Sequence, residues 1–122
     1  MRFLKNVKGS AAIETAILLP VYLLLIFGVI EFGYFLWADI SLRYGAYYGA
    51  RYALVNAPTT SAATQNFAYS KSGFAEGGPI TYVATINTSN AQIKGTLTYK
   101  FLVLPLPSIT TSIVVYQDIP PS

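Results

Sequence analysis

Residues 8–37 read KGSAAIETAILLPVYLLLIFGVIEFGYFLW, from Lys8 to Trp37. Glu14 and Glu31 bracket sixteen consecutive residues without a charge. At 1.5 Å per residue, a helix over that run spans roughly 24 Å, slightly less than a hydrocarbon core of about 30 Å. The flanking turns close the gap and leave both carboxylates near the two membrane interfaces. A charge costs far less there than the ~2.5–3.5 kcal/mol estimated at the bilayer centre. Tyr34 and Trp37 suit the far interface, where amphipathic rings collect.

Arg2, Lys5 and Lys8 precede the run. Their position places the N-terminus in the cytoplasm and Asp39 onward outside. A secretory signal peptide would share the basic start and apolar stretch, yet no A-x-A-like cleavage site follows. The chain continues instead into the bulky helical sequence GYFLWADISLRYG. A plain signal anchor, with Glu14 incidental, is the other simple reading.

The 122 residues suffice for one small domain. Hydrophobic residues make up 53% and charged residues 11%, too apolar for an ordinary small soluble domain, and the excess lies in the first third. Beyond Gly9, five basic residues face five acidic ones, so the net charge of +3 belongs to the leader. It therefore gives no indication of nucleic-acid binding. Cysteine and histidine are both absent. Disulfides, thiolate metal sites and the usual neutral-pH base are thereby excluded. No catalytic constellation, glycine-rich phosphate loop, cofactor site or metal site is expected.

The helical pattern runs on past Trp37, with no proline until Pro58. Asp39 and Arg43 are four apart and can pair. Ser41, Gly45, Gly49 and Ala53 form a small-residue ridge. Tyr44, Tyr48 and Tyr52 form an aromatic one, and Arg43, Tyr47 and Arg51 a third. Each glycine weakens a helix by ~1 kcal/mol relative to alanine. Two at spacing four imply close approach of another surface. That surface is either the chain's own domain or a neighbouring subunit.

A short helix is expected around Thr60 to Ser70, capped by Thr59 or Thr60. GFAEGGP reads as a loop. ITYVATIN then alternates Ile80, Tyr82, Ala84 and Ile86 on one face. TSNA reads as a turn, and Asn87-Thr88-Ser89 is a weak sequon match. QIKGTLTYKFLVL places Ile93, Leu97, Tyr99, Phe101 and Val103 opposite Lys94, Thr96, Thr98 and Lys100. After PLPS, a third strand carries Ile109, Ile113 and Val115. Three strands with one apolar face need a cover, and the distal half of the long helix is the candidate. The expected class is α+β: a long N-terminal transmembrane helix continuing into a small antiparallel β-meander.

A basic leader ends at Gly9, small residues Ser10-Ala11-Ala12 follow, and Glu14 stands fifth after the glycine. A long apolar helix containing Pro20 comes next. This arrangement resembles the class III signal of type IV pilins and pseudopilins. The fuller string from Gly9 to Gly33, together with GARYA at Gly49 to Ala53, resembles the TadE-like minor pseudopilins of tight-adherence (Flp-type) pilus systems. The likeness covers roughly residues 1–55. Thr15 stands where an aromatic residue is usual, Tyr34 where a basic one is expected, and the cysteines of some relatives are missing.

The resemblance implies a leader over 1–9, a membrane helix over 10–38 and an extracytoplasmic, pilin-like part over 39–122. It implies cleavage between Gly9 and Ser10 by prepilin peptidase, because a residue without a side chain admits close backbone approach. The local alternative makes Ser10 a helix cap with Glu14 in the first turn. Subunit packing is implied for Glu14, Pro20, Glu31, Gly45, Gly49 and Arg51. The implied partners are membrane lipid, the peptidase, the major pilin, other pseudopilins and the inner-membrane assembly platform. The implied setting is the bacterial inner membrane with a periplasmic C-terminal domain, and the pilus itself after assembly.

Overall fold

The computed structural model describes residues 7–57, 59–87 and 89–118. Helix α1 runs Val7–Val55 without interruption, 49 residues, about 73 Å at the standard rise. Helix α2 covers Ser61–Ser72. Strands β1 (Ile80–Ile86), β2 (Asn90–Tyr99) and β3 (Ile109–Asp118) form an antiparallel sheet in the order β1-β2-β3. The expected α+β layout, helix followed by meander, is the one observed.

The long helix has two surroundings. Its proximal part includes an 18-residue window of mean hydropathy 2.4 with none of it buried. Such a segment is long and apolar enough to anchor the chain in a membrane. From Glu31 onward one stripe turns inward. Glu31, Ala38, Leu42, Ala46, Ala50 and Ala53 are buried, with Ser41, Gly45 and Gly49 beside them. The spacing of three and four keeps these residues on one helical face. The stripe covers the sheet, as the alternation of the strands requires.

Register places Tyr82 opposite Gly95 and Gly95 opposite Ile113, while Ala84, Ile93 and Val115 form the next row. Leu42, Ile80, Ile93 and Leu97 are fully enclosed where the helix meets these rows. Each such side chain contributes ~1.5–3 kcal/mol of burial. The small-residue ridge allows the approach. A methyl built on Gly49 would stand 2.8 Å from Ile93 Cδ1 and 2.9 Å from Ala68 Cβ. One built on Gly45 would collide with the Tyr82 hydroxyl and stand 2.8 Å from the Ala68 carbonyl. Of the two surfaces considered for these glycines, the structure presents the chain's own domain.

Tyr82 threads between helix and sheet. Its hydroxyl donates to the Leu42 carbonyl at 2.9 Å, with Ser41 O at 3.3 Å. Burial pushes this phenol up to about 12 from its usual value of 10.0. Its backbone N–H, on the outer edge of β1, donates to the Tyr69 hydroxyl of α2 at 3.1 Å. Helix α2 thus occupies part of an otherwise open sheet edge.

Local chemistry sets the limits of α2. Thr60 has extended backbone and its hydroxyl accepts from Ala63 N–H at 3.2 Å, an N-cap. Gly73 ends the helix at φ 74°, a left-handed conformation suited to glycine. Asn87 N–H donates to Asn90 O at 2.8 Å and closes the β1–β2 hairpin. The turn sits slightly earlier than TSNA, since Asn90 and Ala91 already belong to β2. Thr88 of the sequon lies outside the described residues.

The second strand is shorter than its hydrophobic pattern suggests. QIKGTLTYKFLVL reads as a single run, but pairing stops at Tyr99. Phe101 is buried, whereas Leu102 and Val103 are exposed in a loop. The backbone there turns back to helix α1.

Two outcomes follow for the full-length chain in micelles. Gly45→Ala lowers unfolding stability by about 1–3 kcal/mol despite better helix propensity, because the new methyl overpacks the interface. Gly33→Ala, with no atom within 4 Å of the added carbon, leaves stability unchanged or raises it by up to about 1 kcal/mol. Because the folded-state phenol titrates above the unfolded one, the stability Tyr82 contributes is complete below pH 10 and disappears as pH rises toward about 12. Denaturation measured across that window shows a smaller loss for Tyr82→Phe than for the native chain.

Candidate functional site

Two parts of α1 carry the residues singled out by sequence. Gly9, Ser10 and Glu14 lie on the free proximal helix, all exposed. A methyl on Gly9 would meet nothing within 4 Å. The Gly9–Ser10 bond sits near the start of the described helix. Glu14 belongs to no ion pair among the described residues, where the pair recorded is Arg43 Nε to Asp39 Oδ2 at 2.9 Å. Arg2 and Lys5 of the leader lie outside the described residues.

Pro20 sits inside the helix and is exposed. It has no N–H to offer the Ala16 carbonyl one turn earlier. Thr15, the departure from the aromatic pattern, returns its hydroxyl to the Ala11 carbonyl at 2.9 Å. In a lipid-facing helix that bond satisfies the hydroxyl internally.

Glu31, seventeen residues after Glu14, has a different environment. Its carboxylate faces the loop after β2. Leu102 N–H donates to Oε1. Val103 N–H reaches Oε1 at 3.3 Å and Oε2 at 3.2 Å, and Leu104 N–H reaches Oε2 at 3.1 Å. Three successive backbone donors converging on one anion form a nest. An ionised carboxylate is an acceptor with no donor of its own, so the match is complementary. The resemblance implies subunit packing for Glu31. In the structure it is engaged by its own chain.

The nest is surrounded by rings. Phe35 packs on Tyr99 and Phe101 with centroids 5.6 and 6.1 Å apart, and Tyr34 meets Tyr99 at 5.8 Å. Trp37 stands 5.0 Å from Phe74 and 5.5 Å from Tyr34. Expected as an interfacial pair, Tyr34 and Trp37 are half-exposed members of a larger aromatic cluster at the level where the buried stripe begins.

Gly45 and Gly49 are filled by the domain, as described above. Arg51 is exposed and lines a shallow open groove with Tyr48, Tyr52, Val55, Asn56 and Phe67. Tyr52 stacks on Phe67 at 4.5 Å, and Lys71 Nζ stands over the Phe67 ring at 5.2 Å from its centroid. Tyr44 and Tyr48 stand 4.4 Å apart on the outward side. Sequence reasoning did not find the loop Leu102–Leu104 as the partner of Glu31. Its one available sign was the pair of prolines, Pro105 and Pro107, which mark the end of regular pairing.

A scan against protein families decides the affiliation of the anchor. Residues 9–51 match the model for TadE-like proteins. That segment is similar to TadE-like proteins. The match begins at Gly9, takes in the charge-free run, Gly49 and the buried stripe as far as Ala50, and ends at Arg51. It links this segment to the tight-adherence pilus family that the leader and helix resemble. No curated protein and no solved structure is significantly similar to the chain.

Replacing the acceptor tests the nest. Glu31→Ala leaves three converging donors without their partner, and hydrogen bonds to a charged group contribute about 1.5–3 kcal/mol each. Hydrogen exchange at the Leu102, Val103 and Leu104 amides should rise by about an order of magnitude or more. The amides of β1 and the β1-facing part of β2 should keep their protection.

Proposed function

We propose that this chain is a minor pseudopilin of a tight-adherence pilus, made as a bitopic membrane precursor and matured by prepilin peptidase. The observation that carries the reading is the TadE-like match, which starts at the glycine closing the basic leader and extends through the apolar helix. The exposure of Gly9 and Ser10 supports access by a peptidase. The basic leader supports a cytoplasmic N-terminus and a periplasmic domain in a bacterial inner membrane.

Cleavage removes Arg2, Lys5 and Lys8 and creates a positive α-amine at Ser10. Glu14 is then the fifth residue of the mature chain. In the low dielectric of a bilayer, its carboxylate attracts the amine of an adjacent subunit strongly. A pair of this kind sets the axial register between helices, as a buried polar residue does in a coiled coil. The subunits joined in this way are the major pilin and other pseudopilins, on the inner-membrane assembly platform. The protein's role is to help assemble or prime the filament for surface attachment.

Mass spectrometry of membrane-extracted protein tests the processing step. With the peptidase present, the mature chain begins at Ser10. An intact Met1 start would instead favour a plain anchored module. Glu14→Ala should be cut normally yet lose most of its incorporation into assembling pili, read by co-purification with the major pilin. Unchanged incorporation would defeat the pairing.

A further inference from the structure

The loop held by Glu31 reads FLVLPLP, Phe101 to Pro107. Leu102 is 93% exposed, the most exposed of the large hydrophobic residues among those described, and Leu106 is 51% exposed. Exposed leucines in a loop are ordinarily unfavourable. The depth of this loop along α1 gives them a surrounding. Leu104 packs over Gly28, where a methyl would stand 3.4 Å from its Cδ2. Gly28 lies within the charge-free run, three residues before Glu31, or about 4.5 Å deeper along the helix.

The backbone donors have the accounting that such a depth requires. The N–H groups of Leu102, Val103 and Leu104 all go to Glu31. Pro105 and Pro107 have none. Leu106 N–H donates to Leu104 O at 2.7 Å across a three-residue turn. Every N–H from 102 to 107 is therefore either satisfied within the chain or missing. Water-exposed loops have no need of this, because solvent satisfies their donors. In hydrocarbon an unsatisfied N–H costs several kcal/mol.

We propose that residues 102–106 form a second membrane contact, a short loop inserted into the outer interface of the bilayer beside the spanning helix. The occupant of its apolar surface is lipid, at the boundary between headgroups and acyl chains. Exposed Lys100 at the start of the loop is then at the level of lipid phosphates. Tyr34, Trp37 and Tyr99 lie in the same belt. Glu31 has a positioning role. It neutralises the loop's donors and joins the loop to the helix, so the domain is held against the membrane at two points instead of swinging on one. The inference rests on reading α1 as membrane-spanning.

The native chain has no cysteine, so single-cysteine variants can carry an environment-sensitive nitrobenzoxadiazole probe. Leu102→Cys tests the loop, Leu24→Cys reports the span and Thr85→Cys the far end of the sheet. Each full-length protein is reconstituted in phosphatidylcholine–phosphatidylglycerol vesicles, with and without a lipid carrying a nitroxide just below the headgroup. Insertion predicts blue-shifted emission at position 102 and strong nitroxide quenching there. The quenching should far exceed that at position 85 and persist when the protein is diluted in lipid. Quenching at 24 with a water-like signal at 102 would overturn the loop proposal and leave the spanning helix intact. A water-like signal at both positions would overturn both. A blue shift at 102 that vanishes on dilution would assign the surface to a second copy and likewise overturn it.

Discussion

The domain depends on the close approach of helix α1 to the sheet at Tyr82. The ring occupies space that Gly45 and Gly95 leave open, since a methyl on either glycine would crowd it. Its hydroxyl ends on the Leu42 carbonyl, and the Leu42 side chain rests on Gly95, 2.8 Å from where a methyl would stand. Helix, edge strand and central strand therefore meet around one phenol. Its N–H also holds α2 through Tyr69. A three-stranded sheet with one apolar face leaves that face in water unless something covers it. Here it gains a helix on one face only because small residues let the backbones come close.

This contact also explains why α1 remains one continuous helix. The proximal half is unburied apart from the contact of Leu104 at Gly28, and the distal half is built into a core. A helix broken between them would lose the fixed relation of membrane anchor to domain. Glu31 stands where the surroundings change: before it the stripe residues are exposed, and after it they are buried. A carboxylate at such a boundary could be solvated by water or headgroups. Instead it collects the N–H groups of a distant loop, so the site of greatest electrostatic cost becomes a point of attachment.

Much of this architecture was legible in the sequence because its signals are local. The charge-free run, the small-residue ridge and the alternation in β1 and β3 each depend on neighbours within a few residues. They yielded the helix, the meander and the covering face. The extent of β2 was not legible. Phe101 and Val103 continue the alternation of Ile93, Leu97 and Tyr99, and periodicity alone extends the strand through them. Past Tyr99 the backbone turns to a carboxylate 71 residues away in sequence, and the only local sign of that is the pair Pro105 and Pro107. The same limit left the partner surface of Gly45 and Gly49 open between domain and subunit. Spacing shows that something approaches, and only tertiary structure shows what. The inner stripe of Ala38, Leu42, Ala46 and Ala50 escaped notice because alanine is weakly hydrophobic and common in any helix.

The comparison of the two helix glutamates is the most consequential result for assembly. In sequence they are alike: each flanks the charge-free run, and each is near an interface. In the structure Glu31 has its oxygen atoms occupied by three donors of its own chain, whereas Glu14 is exposed with no ion-pair partner among the described residues. An anion already surrounded by fixed donors gains little from an incoming cation, because that cation must compete with hydrogen bonds in place. An unpartnered anion at the edge of a low-dielectric region has no such competitor, and its attraction for a positive group is correspondingly larger. The physical asymmetry divides the two glutamates: Glu31 joins the long helix to a loop of its own chain, and Glu14 stays exposed on the free part of the helix.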